Sequence, residues 1–342
     1  MRFYYITLTL FLLTLNLIAQ PADVVELSSK QIAQIQNQGV AGIKAVLEES
    51  NIDLQDKGAT HDLVSQIVSS QISETSTPES IAEITSRITI AIAEIALSDN
   101  DIDNNEIYLV IEATAAGASD AVIKASENLN IDVRNAVKSS STGTSGGVIK
   151  FALENGLDAA KATSAAASGA TAGAIETAVE ADIDVPEIVE FASSGSVAGA
   201  IFAAVEADID VGKYIEAAAS GATEAAVEAP VVAKLNIVKF VQSAAAGSVI
   251  ASIESSLEAN IDENIESAVA GSTSGAIQAA AGNGPNTRVS IAPIAADLSE
   301  LKRIIAIGRI DGERRAKRMP IIMTPYEDDP TIRQVSPTSR PR

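Results

Sequence analysis

The 342-residue chain has no cysteine, no tryptophan, one histidine and only 11 aromatic residues. Disulfides, thiolate-bound metals and histidine-rich metal sites are thereby excluded. Basic residues are also scarce, 24 Lys and Arg against 45 Asp and Glu, and the formal net charge is −21. Such a charge repels phosphate backbones and anionic lipid, which argues against nucleic acid as a partner. Hydrophobic residues reach 46%. With so few rings, that fraction is Ala, Ile, Val and Leu, and a core of small aliphatic side chains suits closely packed helices.

The first nineteen residues read as an export signal. Arg2 precedes a mainly apolar run from Phe3 to Ile18, and Ala19 supplies a small residue ahead of Gln20 and Pro21. The run is short for a bilayer crossing, so the expectation is an exported chain, extracellular, at the cell surface or periplasmic, with no stable membrane span once processed. Beyond it the charge is uneven. Residues 20–287 carry 38 acidic and 12 basic residues, net −26, whereas 288–342 carry 7 and 11, net +4. The acidic body and basic tail meet at the turn-forming cluster Gly282-Asn283-Gly284-Pro285-Asn286.

The body is a repeat. Gly117, Gly143, Gly169, Gly195, Gly221, Gly247 and Gly271 follow one another at intervals of 26 residues, the last at 24. Six residues after each stands a β-branched residue: Ile123, Ile149, Ile175, Ile201, Val227, Ile253 and Ile277. Fourteen after the first six stands Ile or Leu, each followed by Asp or Asn, as in Ile183-Asp184 and Ile209-Asp210. The spacing of Ile175, Val179 and Ile183 is that of one helical stripe, and Asp184, Pro186 and Glu187 form an N-terminal signature for a following helix. With Gly read as a C-terminal cap, each unit becomes a pair of helices of about ten and eight residues, stable only when stacked on neighbours. Ile175, Val205 and Ile209 are expected in the core. A second small residue four after the landmark (Gly147, Gly173, Gly199, Gly275) lets backbones approach.

The expected fold is therefore an all-α solenoid of short helix pairs with a 26-residue repeat. Its divisions are a signal at 1–19, an N-terminal cap region of degenerate repeats at 20–116, the regular repeats at 117–281, and a linker, candidate capping helix and basic Pro-rich tail at 282–342. No phosphate-cradling loop or nucleophile-base pair is present, and His61 has no partner set that would make it a catalytic base. Two features invite a functional reading. The corners place Glu180, Asp182 and Asp184, then Glu206, Asp208 and Asp210, in clusters whose hard oxygens suit calcium. The tail carries Arg314, Arg315, Lys317 and Arg318, complementary to the body and suited to self-association. The expected function is a non-catalytic structural or self-assembling exported protein, with a secreted binding scaffold for a peptide or glycan as the alternative.

Overall fold

The computed structural model describes residues 27–50, 52–99, 102–233, 237–261 and 264–282. These are all-helical, with eleven helices and no strand among the described residues. The sequence-based signal at 1–19, the candidate capping helix and the basic tail lie outside them. The helices are α1 (Ser29–Gln38), α2 (Val40–Ser50), α3 (Lys57–Ser69), α4 (Pro78–Ser98), α5 (Asn104–Leu129), α6 (Val133–Glu154), α7 (Ala159–Glu180), α8 (Val185–Glu206), α9 (Val211–Ala233), α10 (Ile237–Glu258) and α11 (Ile265–Gly282).

Each 26-residue unit holds one helix, not two. α6, α7, α8 and α10 are each 22 residues long, and each landmark glycine lies in the middle of its helix. The sequence-based boundary at residue 117 accordingly falls inside α5. What ends the helices is the Ile-Asp corner. Asn130, Asp182, Asp208 and Asn260, each thirteen residues after a landmark glycine, adopt φ of 56°, 55°, 52° and 54°. Asn and Asp tolerate this left-handed conformation because their short polar side chains bond locally. The next residue then closes the helix: the N–H of Ile131, Ile183, Ile209 and Ile261 donates to the carbonyl five residues earlier at 2.9–3.1 Å, as in a Schellman motif. Asp132, Asp158 and Asp184 start the following helix by accepting N–H bonds at 3.0–3.3 Å. Upstream, Thr77 and Ser80 exchange the bonds of a capping box ahead of α4.

The landmark glycines are packing sites. A Cβ at Gly169 would overlap the carbonyl of Glu112, at Gly195 that of Lys138, at Gly221 that of Ser164 and at Gly247 that of Glu190. Each partner lies on the helix two places earlier. Gly199 likewise meets Thr142 four residues after Gly195 meets Lys138, so helices two apart run parallel. Beyond α4, short corners of three to six residues turn consecutive helices back on one another. From α3 onward two rows result, α3-α5-α7-α9-α11 and α4-α6-α8-α10, with contacts richer along a row than between sequence neighbours. A mid-helix glycine costs about 1 kcal/mol in propensity, and backbone contact at the crossing offsets it.

Between the rows lies a core of small residues. Ile123, Ile149, Ile175, Ile201 and Val227 are essentially inaccessible, with Ala166, Ala170, Ala200 and Ala222 around them. The stripe does not extend to the helix ends as expected: Val179 and Val205 are exposed, and Ile183 and Ile209 half-buried. In a single long helix these positions fall in the last turn and the corner, beyond the crossing. Ile277, equivalent to buried Ile201, is 52% exposed on α11, where the described residues end.

Candidate functional site

The six acidic corner residues do not form one row. Glu180, Asp182 and Asp184 stand at one end of α8 and Glu206, Asp208 and Asp210 at the other, separated by a 22-residue helix about 33 Å long. Each has a local task. Asp182 and Asp208 occupy the left-handed corner, while Asp184 accepts the Glu187 N–H at 3.2 Å and Asp210 the Gly212 N–H at 3.1 Å. Glu180 lies 3.6 Å from Lys124, and Glu206 lies 3.6 Å from Lys150. These two pairs occupy the same register on the two rows. Glu187, expected to complete a capping box, instead receives a bond from Arg134 at 3.0 Å. Among the described residues no three His, Cys, Asp or Glu side chains come together as a metal-binding group. His61 sits on α3 against Asp62 at 3.2 Å, and its carbonyl seats Gly117.

One buried carboxylate departs from the repeat. Asp120 of α5 is 3% exposed and accepts Ser65 Oγ of α3 at 2.6 Å, Thr177 Oγ1 of α7 at 2.7 Å and Lys124 Nζ at 2.7 Å. Burial works to raise its pKa, but the bonds from Lys124, Ser65 and Thr177 and the lysine charge outweigh it and hold the carboxyl below its ordinary 3.8. The aspartate ties three successive helices of one row through a satisfied network.

On the same row the structure opens a groove of about 410 Å³ across α3, α5, α7 and α9. Its walls carry Lys57, Tyr108, Glu112, Lys161, Glu224 and Glu228. Its floor is α7, where Ser164, Ala165 and Ser168 are small enough to leave the space open. Lys57 Nζ pairs with Glu112 at 2.8 Å, the Tyr108 hydroxyl accepts the Asp158 N–H at 3.0 Å, and Lys161 Nζ lies 5.7 Å from the Tyr108 ring centre. Glu224 is half-buried and Glu228 stands at the rim. Desolvation, then the charges of Glu228 and Glu112, raise the pKa of Glu224 above the ordinary 4.5; desolvation and Glu112 raise that of Glu228. The sequence reading missed this site. Its signal is the meeting of Glu112 with Glu224 and Glu228, visible only once helices two and four apart are known to be neighbours.

The arrangement can hold charged groups and orient them, but it offers no nucleophile with an attendant base. Among the described residues two helices, α8 and α10, are long and apolar enough to cross a bilayer by length and composition, and both are mostly buried against their neighbours. No protein-family model, curated protein or solved structure matches this chain.

Proposed function

We propose that this chain is an exported, non-catalytic structural protein: a two-row α-solenoid whose basic tail engages the acidic body of another copy. The observation that carries the reading is the uniformity of the array. From α5 to α11 each landmark glycine is seated on a carbonyl of the helix two before it, so one contact is remade unit after unit. Such architecture supplies length and repeated surface. The segment before Gln20 supports export, and the burial of most of α8 and α10 against their neighbours supports a processed chain without a membrane span. A tail of net +4 beside a body of net −26 supports contact between copies, which needs no closure and can propagate. Calcium at the corners stays a proposal of the sequence pattern alone, since the two clusters lie at opposite ends of α8 and no three carboxylates gather as a metal-binding group among the described residues.

Light scattering of the full chain at low and high salt tests the assembly reading. Exposed ion pairs are screened beyond a Debye length of about 8 Å at physiological ionic strength, so assemblies present at low salt should dissociate as salt rises. Replacement of Arg314, Arg315, Lys317 and Arg318 by Ser should abolish them. A full chain that is monomeric at every salt concentration would refute self-association. The second reading, a secreted scaffold for a peptide or glycan, is favoured by the groove over α7, which combines a tyrosine ring with charges of both signs.

A further inference from the structure

The two rows fill one register differently. On the even row Lys138 of α6 reaches over α8, and its Nζ lies 3.4 Å from Glu254 of α10. Lys138 stands five residues before Gly143, and Glu254 seven after Gly247. The corresponding positions on the odd row are Glu112, five before Gly117, and Glu228, seven after Gly221. A carboxylate therefore stands where the even row has an ammonium, and α7 rather than α8 lies beneath. Lys57 answers Glu112, but neither Glu224 nor Glu228 has an ion pair among the described residues.

We propose that the groove takes a cationic side chain from the chain's own basic segment Arg314, Arg315, Lys317 and Arg318, seated between Glu224 and Glu228 and beside the Tyr108 ring. The inference rests on the self-association reading and names the surface that the tail engages. The even row shows the chemistry, since the fold itself places a lysine over the intervening helix at this register. Reach is sufficient: 32 residues separate Gly282 from Arg314, about 100 Å when extended. Several other carboxylates are already engaged. Asp132, Asp158 and Asp184 cap helices, while Glu180, Glu187, Glu206 and Glu254 already meet a lysine or arginine. Glu224 and Glu228 are desolvated and repelled by Glu112, a repulsion that Lys57 offsets in part at Glu228 and that an incoming cation relieves further.

Zero-length carbodiimide coupling of the full chain at physiological salt, read by mass spectrometry of tryptic peptides, tests this. Lys317 should couple to Glu224 or Glu228 about fivefold more than to Glu254 or Glu258, which an ion-pair preference of this kind produces. E112K places a lysine in the groove as on the even row and leaves both acceptor carboxylates in place. It should reduce that coupling about fivefold, and R314S/R315S/R318S should weaken it as well. Coupling of Lys317 spread evenly over the body, or unchanged by E112K, would overturn the proposal. A mixture of isotope-labelled and unlabelled copies separates the two readings. Coupling at the groove only within single copies would keep the inference and defeat self-association, whereas mixed assemblies with evenly spread coupling would do the reverse.

Discussion

Gly195 and Asp208 belong to one repeat, thirteen residues apart, yet they answer to different physics. Gly195, in the middle of α8, sits under the carbonyl of Lys138 where no side chain fits. Asp208, at the corner after α8, is exposed with φ of 52° and makes the turn. Helix middles are defined by what a neighbouring backbone permits, and helix ends by which residues can cap and reverse the chain. One 26-residue pattern encodes both, so substitutions equally faithful to the pattern should have unequal costs.

The widest gap is expected along a single stripe. Ile201→Ala empties a fully buried position and should cost about 2–5 kcal/mol in urea unfolding, whereas Val205→Ala, four residues on and exposed, should cost less than about 0.5 kcal/mol. Equal losses at the two sites would erase the distinction between middle and end. At the corner, Asp208→Val forces a β-branched residue into the left-handed region and should cost about 1–2 kcal/mol. Asp208→Gly should be neutral or slightly stabilising. A loss with glycine as large as with valine would show that Asp208 acts through its carboxylate, as a metal ligand would, instead of through its backbone.

The smallest effect concerns pH. Burial and like charge hold Glu224, Glu228 and Glu190 above the ordinary carboxylate value, whereas at Asp120 the bonds from Lys124, Ser65 and Thr177 and the lysine charge outweigh burial and hold it below. A raised folded-state pKa contributes stability that is present below the unfolded value and is lost as pH rises through the folded one. Acidification from pH 7 toward about 5 should therefore raise the melting temperature, with relief of the body's self-repulsion acting in the same direction. The Asp120 contribution is lost only as pH falls below the ordinary aspartate value of 3.8. E224Q/E228Q should flatten the rise. A melting temperature that falls steadily from pH 7 downward would contradict these signs.

Much of this was legible in the residues. The 26-residue period, the helical content, the N-cap role of Asp184 and the burial of Ile175 and Ile201 follow from periodicity and capping chemistry. The length of the helices did not. Glycine carries two opposite signals, termination and close approach, and sequence alone ranks termination first because most helix-associated glycines serve there. The structure assigns termination to Asn130, Asp182, Asp208 and Asn260, which as acidic or amide residues look like ligands or solubilising groups until their φ is known. The groove was illegible for a related reason: Glu112 and Glu228 are 116 residues apart and meet only because glycine crossings bring α5, α7 and α9 close together.

The central claim is that the landmark glycines are helix crossings. Gly195 and Gly146 supply the contrast, because a Cβ at Gly146 would find ordinary contacts, the nearest at 3.4 Å from the Gly199 carbonyl oxygen. Urea unfolding of three variants decides it. Gly195→Ala should lose about 1–3 kcal/mol and Gly195→Asn more, while Gly146→Ala should be neutral or gain up to about 1 kcal/mol from helix propensity. If Gly195 instead ended a helix in the left-handed conformation, asparagine would be tolerated there better than alanine, and that order would contradict the account.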